Sequence, residues 1–368
     1  MVAAGVGLLL FGGLFLLGVL LVIWFVEVFI EAVAQSAVSL GISGFFLAVI
    51  LAGIDLENAV LGVTAASVAL PDLALGTVFG ESLFVLAIAV GLAGLFVPFE
   101  IDVPCVYLFM LLLVPIPAFV LSLGGTIDQR QGVLLVAVFV PLLALIYVLE
   151  SRSETVYMLS EEVQESVETD LGPSVQANGA GVDEDNDDRS GKIERESVSR
   201  GCVLDIDLDL DLDEFVPELG HRSGRFTLGV ALLAIVGLTA GSLLTVFSAE
   251  RIFVAFGISG LAFGATVLSF IASIEELALT VEPVRRGQPQ LAVGNIVGST
   301  VFYTTANIGL IALLHPIDTG GAVMTIHWPF FAACLLLVTV MLARSRVTRA
   351  DGVLLVALYA AYWVANFA

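Results

Sequence analysis

The sequence is 368 residues long, 58% apolar and 14% charged, with a mean hydropathy of +1.03. A soluble domain carries about a quarter charged residues, so this composition excludes an ordinary soluble fold. The net charge of −22, from 14 basic and 36 acidic residues, excludes a nucleic-acid surface, which needs basic side chains to meet phosphates.

Apolar runs long enough to cross a bilayer recur along the chain. Ten spans are predicted, at 5–26, 37–60, 74–97, 103–123, 132–149, 225–248, 256–281, 291–314, 324–343 and 350–367. The first lacks a small-residue cleavage site and is too long for a signal-peptide core, so it reads as a retained span. Charges and turn formers separate the others: Glu27 and Glu31, Pro71-Asp72, Pro98 with Glu100, Gly124-Gly125, Glu250-Arg251, Arg285-Arg286-Gly287, His315-Pro316 and Arg344 to Arg349. Between spans five and six lies an acidic segment, 151–224, with 20 acidic and six basic residues. Its composition cannot bury a core, so it is expected to be mostly disordered. The organisation is therefore 1–150, a first five-helix membrane repeat; 151–224, an acidic loop; and 225–368, a second five-helix repeat. Basic residues favour the cytoplasmic side. With the amino terminus outside the cell, 12 of the 14 fall inside and 151–224 becomes a cytoplasmic loop; only Arg130 and Arg251 fall outside. The single lysine, Lys192, and the acidic excess suit a halophile. Cys105, Cys202 and Cys334 have neither paired nor metal-ligand spacing.

The halves repeat. Leu73-Ala74-Leu75-Gly76 matches Leu291-Ala292-Val293-Gly294 at a shift of 218, and Gly132 to Ala137 matches Gly352 to Ala357 at 220. Glu31 and Glu57 pair with Glu250 and Glu276 at 219. Five spans per half give the second half the opposite membrane orientation, so the fold class is an all-α membrane protein of two inverted repeats, a layout that places a site at the midplane between them.

Acidic groups inside spans are costly and usually functional. They are Asp55, Glu57, Glu81, Glu275 and Glu276, and no Lys or Arg lies within a predicted span to neutralise them. Glu57 and Glu276 are expected to meet and share a cation; a structural hydrogen-bonded pair is the alternative. A hard cation such as Ca²⁺ takes six to eight oxygens. Ser273, one turn before Glu276, and Ser299, with Glu81, add to the set. Asp55, Glu275, Thr300, Ser82 and Asn295 are further possible ligands, Asp55 and Glu275 reading equally well as residues of a cavity mouth. No enzyme is expected: there is no nucleophile–base set or phosphate loop, and His221, His315 and His327 are scattered. No covalently bound cofactor is implied. The partners are the lipid bilayer and inorganic cations.

At these residues the chain resembles the cation/calcium antiporter superfamily, which includes the sodium/calcium exchangers. Its second repeat typically reads Gly-Thr-Ser-x-Pro-Glu, then Gly-Asn-x-x-Gly-Ser-Asn about 18 residues after the Glu. Here Ala272-Ser273-Ile274-Glu275-Glu276 is followed by Gly294-Asn295-Ile296-Val297-Gly298-Ser299-Thr300, and in the first half Gly53-Ile54-Asp55-Leu56-Glu57 by Gly76-Thr77-Val78-Phe79-Gly80-Glu81-Ser82. The resemblance implies secondary active antiport of Ca²⁺ or another divalent cation for H⁺ or Na⁺ by alternating access. It also implies that Glu57 and Glu276 bind the divalent ion and that Ser273 and Ser299 help bind sodium. The chain departs from the pattern at Ile54, Leu56, Glu81, Val85, Glu275 and Tyr303. Neutral sodium ligands are thereby lost and one carboxyl gained at Glu81, which turns the expectation toward H⁺. A non-transporting membrane sensor or scaffold of the same fold is the alternative.

Overall fold

The computed structural model describes residues 2–39, 55–150 and 224–368. Most of the acidic segment, and the first part of the second predicted span with Gly53 and Ile54, therefore lie outside the described residues. The helices are α1 (Val2–Ser39), α2 (Leu56–Ser67), α3 (Pro71–Phe96), α4 (Cys105–Ser122), α5 (Gln129–Glu150), α6 (Gly224–Phe256), α7 (Gly260–Ala272), α8 (Ile274–Arg285), α9 (Pro289–Leu314), α10 (Val323–Ala343) and α11 (Arg349–Phe367). Eight of them are long and apolar enough to span a bilayer, and α7 with α8 makes a ninth, bent span. Four two-residue strands punctuate them: β1 (Phe99–Glu100), β2 (Thr126–Ile127), β3 (Ile317–Asp318) and β4 (Arg346–Val347).

Three expectations about span ends are corrected. Glu27 and Glu31 do not end the first span; they lie inside α1, whose 38 residues make about 57 Å of helix at 1.5 Å per residue. Glu250 and Arg251 likewise lie inside α6. The predicted span 256–281 is two helices meeting at 50°, because the backbone leaves helical geometry at Ser273 (φ −90°, ψ 15°). A serine within an apolar run gives no warning of such a break.

The two halves correspond at a constant shift. α2 and α8 start and end 218 residues apart, as do α3 and α9, and each of the latter pair carries a π-helical turn at the same place, Phe84–Ala89 and Phe302–Asn307. The turn between α2 and α3 has a left-handed residue at Ala69 (φ 62°), and its counterpart is Gly287 (φ 78°). β1 pairs antiparallel with β4, and β2 with β3. The flanking bonds match too: Ile101 N–H donates to the Ser345 carbonyl (3.1 Å) and its counterpart Thr319 to Gly125 (2.9 Å). Since α4 joins β1 to β2 and α10 joins β3 to β4, these pairings make α4 and α10 run in opposite directions. Strand pairing thus carries the inversion of the two halves.

The core lies among α3, α7, α9, α10 and the inner faces of α5 and α11, built from side chains such as Leu73, Phe79, Phe84, Phe302, Phe331 and Tyr362. About nine-tenths of the apolar stretch of α9 and more than four-fifths of that of α3 are buried, against about a fifth for α5 and α11, whose outward faces carry Val133, Leu134, Val353 and Leu354. α3 and α9 are thus central, and α5 and α11 present their apolar faces outward, as a lipid solvent requires. α3 crosses α7 closely: a side chain on Gly264 would put Cβ 3.0 Å from the Thr77 nitrogen. That crossing sets Glu81 beside the α7–α8 break.

Candidate functional site: a buried carboxyl cluster between the repeats

Asp55 caps α2. Its carboxyl accepts from the Asn58 N–H at 3.0 Å and from the Asn58 side-chain amide. From the other half, the Tyr303 hydroxyl at the π-turn of α9 reaches across and donates to Asp55 Oδ2 at 2.5 Å. The same hydroxyl lies 3.3 Å from Glu276 Oε1 and accepts from Asn58 Nδ2 at 3.0 Å. Tyr303 is fully buried and joins the acidic groups of the two repeats.

Glu276 sits in the first turn of α8, just past the break. Asn295 of α9 donates to its Oε2 at 2.5 Å, and Ser299 approaches its Oε1 at 3.4 Å. Asn295 is also 3.4 Å from the Thr280 hydroxyl. Helix N-termini favour negative charge, and both carboxyls stand at one: Asp55 at the cap of α2, Glu276 at the start of α8.

Glu57 and Glu81 complete the cluster. Glu57 is 5% exposed and Glu81 0%; Glu57 Oε1 and both Glu81 oxygens have no hydrogen-bond partner. Glu57 lies within electrostatic reach of Glu275, Asp55 and Glu276, and Glu81 within reach of Asp55, Glu57 and Glu276. Among the described residues no Lys or Arg pairs with any of the four; ion pairs such as Arg285 and Arg286 with Glu282, and Arg344 with Asp351, lie at helix ends. Nor do the described residues hold three His, Cys, Asp or Glu side chains already set around a metal position.

The structure brings Asp55, Glu276, Asn295 and Ser299 together by hydrogen bonds, and Glu57 and Glu81 by proximity. Ser273, at the break, is fully buried with an unpartnered hydroxyl. Glu275 is half-buried beside Glu57. Ser82 and Thr300 instead donate to carbonyls one turn back in their own helices, Val78 (2.6 Å) and Ile296 (2.7 Å).

The expected equivalence of Glu57 and Glu276 is corrected. It needs a shift of 219, whereas α2 and α8, and the turns that follow them, stand 218 apart. The counterpart of Glu276 is Asn58, that of Glu275 is Glu57, and that of Ser273 is Asp55. Two residues were missed: Asn58, and Tyr303, which reads in sequence only as a lost ligand. One signal was present: Gly76 is 18 residues after Asn58, as Gly294 is after Glu276.

The sodium/calcium exchanger protein family matches residues 10–148 and 226–368, covering both halves of this site. The chain belongs to that family. It is a multi-pass membrane protein and a cation/calcium antiporter by family. Among curated relatives it is 26% identical over 314 residues to the inner membrane protein YrbG of Escherichia coli, 84% of this chain and 81% of that one. It is 29% identical over 153 residues to the sodium/calcium exchanger MaX1 of Methanosarcina acetivorans, 41% of this chain and 42% of that one. A structure of the sodium-calcium exchanger NCX_Mj, soaked with Na⁺ and Sr²⁺, aligns over 96% of this chain and 97% of that chain, with a TM-score of 0.50 and 20% identity, a likeness of fold.

Proposed function

We propose that this exchanger-family protein carries Ca²⁺ or a similar divalent cation through the Asp55–Glu276 site and exchanges it for H⁺ or Na⁺ by alternating access. One observation supports this above the rest: the buried carboxyls of Glu57, Glu81 and Glu276 and the half-buried one of Asp55, drawn from both repeats, lie within electrostatic reach of one another with no basic partner among the described residues. Buried charge without a counter-charge is expensive, and a cation or protons supply it. Asp55 and Glu276 are the central ligands. The Tyr303 and Ser299 hydroxyls add neutral oxygens, and Glu57 and Glu81 add flanking charge. The carboxyl oxygens of Asp55 and Glu276 accept from Asn58, Tyr303, Asn295 and Ser299. A hard cation needs those lone pairs, so binding must turn these donors aside, and the two repeats then hold the ion in place of each other's hydrogen bonds.

The amino terminus is proposed to lie outside the cell, with 151–224 as a cytoplasmic acidic loop joining the membrane repeats 1–150 and 225–368. The basic residues at Arg285, Arg286, Arg344, Arg346 and Arg349 support that sidedness. The decisive experiment is ⁴⁵Ca²⁺ uptake into vesicles of the purified protein under a Na⁺ gradient alone, then a pH gradient alone. Uptake driven by one gradient and not the other identifies the coupling ion. No uptake under either would leave a non-transporting sensor of this fold.

A further inference from the structure

One pair of acids obeys the repeat. Glu57 is the second residue of α2 and Glu275 the second of α8, 218 positions on. Elsewhere in the site the counterparts differ: Asp55 answers to Ser273, Asn58 to Glu276 and Glu81 to Ser299. Only at 57 and 275 do both repeats hold the same acidic side chain there. The pseudo-two-fold axis relates these two carboxylates to each other, so an ion near that axis meets both. Neither is a central ligand of the Asp55–Glu276 site.

The fold keeps the pair together. Of the charges around Glu57, Glu275 acts on it most strongly, ahead of Asp55 and Glu276, and Glu27 of α1 is also within reach. Glu57 is 5% exposed and its Oε1 has no hydrogen-bond partner, so a buried acidic oxygen lies among like charges with no donor to meet it. Buried polar atoms are almost always satisfied, and like charges drawn together away from water repel. The partner this geometry calls for is a cation. α1 roofs the pair: Val22 and Val26 pack in one cluster with Leu56 and Leu61 of α2 and Ala272 at the end of α7, and Glu27 follows Val26 directly. Glu27 and Glu275 are half-buried, which leaves the pair open enough for an ion to arrive with water attached. A hard divalent cation takes six to eight oxygens and accepts flexible carboxylates and waters among them.

We propose a second divalent-cation position between Glu57 and Glu275, roofed by Glu27 of α1 and separate from the Asp55–Glu276 centre, which holds Ca²⁺ or a similar ion with part of its water shell. Its use as a waiting place for the incoming ion rests on the antiporter reading. Binding there does not depend on that reading.

The test is equilibrium binding of ⁴⁵Ca²⁺ to the full-length protein in detergent. The acidic segment 151–224 is the same in every variant, so the difference from wild type is what reads the position. Glu275→Gln keeps the shape and removes one charge. It should lose one saturable Ca²⁺ per chain, the weaker one, while the tighter ion stays. Glu276→Gln should do the reverse. Glu27→Gln should weaken the weaker ion severalfold, and stands in should Glu275→Gln fail to fold. Without Ca²⁺ the melting temperature of Glu275→Gln should equal or exceed that of wild type, because a like-charge contact is relieved; a purely structural role for Glu275 predicts a drop. Equal Ca²⁺ counts in wild type and Glu275→Gln, or an unshifted weaker ion in Glu27→Gln, would overturn the position. So would loss of both ions together in Glu275→Gln, which marks a single shared site. Failure of the antiporter reading shows separately, as absent ⁴⁵Ca²⁺ uptake by wild-type vesicles, while the binding counts still decide the second position.

Discussion

α2 and α8 are two copies of one helix, and they carry the charge of the site in different places. In α8 the break residue is Ser273 and the third helical residue is Glu276; in α2 the same positions hold Asp55 and Asn58. The carboxyl has moved by one turn and a neutral amide has taken its place. Both arrangements meet at Tyr303. The pseudo-two-fold axis thus fixes where side chains converge and leaves open which of them bears the charge.

The largest test of this comparison is a pair of single substitutions. Glu276→Gln is expected to lower ⁴⁵Ca²⁺ uptake at least about a hundredfold, the scale of losing a charged ligand from a buried site, with normal membrane insertion. Glu57→Gln should cost clearly less, because the repeat sets Asn58, not Glu57, opposite Glu276. Equal losses in the two variants would restore the Glu57–Glu276 equivalence. Next, Asp55→Ser should weaken divalent binding by about tenfold or more. The double change Asp55→Ser with Asn58→Glu gives α2 the order of α8 and should recover part of it; titrating uptake against Ca²⁺ reads both. A smaller effect is expected from Tyr303→Phe, which deletes the hydroxyl that links the halves. Stability should fall by about 1–2 kcal/mol, read as a lower melting temperature, and half-saturation for Ca²⁺ should shift severalfold.

The smallest effects probe the same comparison in the backbone. The left-handed turn position is glycine at 287 and alanine at 69; in the other matching pair it is glycine at 125 and serine at 345. A residue with Cβ is strained there, so Ala69→Gly and Ser345→Gly should each stabilise by about 0.5–1 kcal/mol, and Gly287→Ala should cost a similar amount. Thermal unfolding in detergent measures all three. Opposite signs for Ala69→Gly and Gly287→Ala are the expected signature of one turn filled by two sequences.

Much of the architecture was legible because a bilayer imposes long apolar runs and the repeated words Leu73 to Gly76 and Leu291 to Gly294 survive in both halves. The carboxyls inside those runs were legible for the same reason, since little else polar is there. What misled was residue identity. Two glutamates at 219 looked like partners, while the spacing to Gly76 and Gly294 already favoured Asn58. The break at Ser273 and the π-turns before Val90 and Ile308 leave no mark in hydropathy, because they change hydrogen-bond register without changing composition. Tyr303 was hidden for a different reason: its ring belongs to the core, and only its oxygen reaches the acids.

The paired strands carry a mechanical consequence. β1–β4 and β2–β3 sit at opposite ends of α4 and α10, so each end of this helix pair is stitched to the other repeat by backbone hydrogen bonds. A frame riveted at both rims resists shear between its halves. α1 and α6 lie against each other along much of their length, Gly237 against Phe25 and Gly18 against Thr245, and neither belongs to a ribbon among the described residues. On the exchange proposed above, the movement that uncovers the carboxyls falls to that long pair, sliding across a fixed frame that keeps the carboxyls in register.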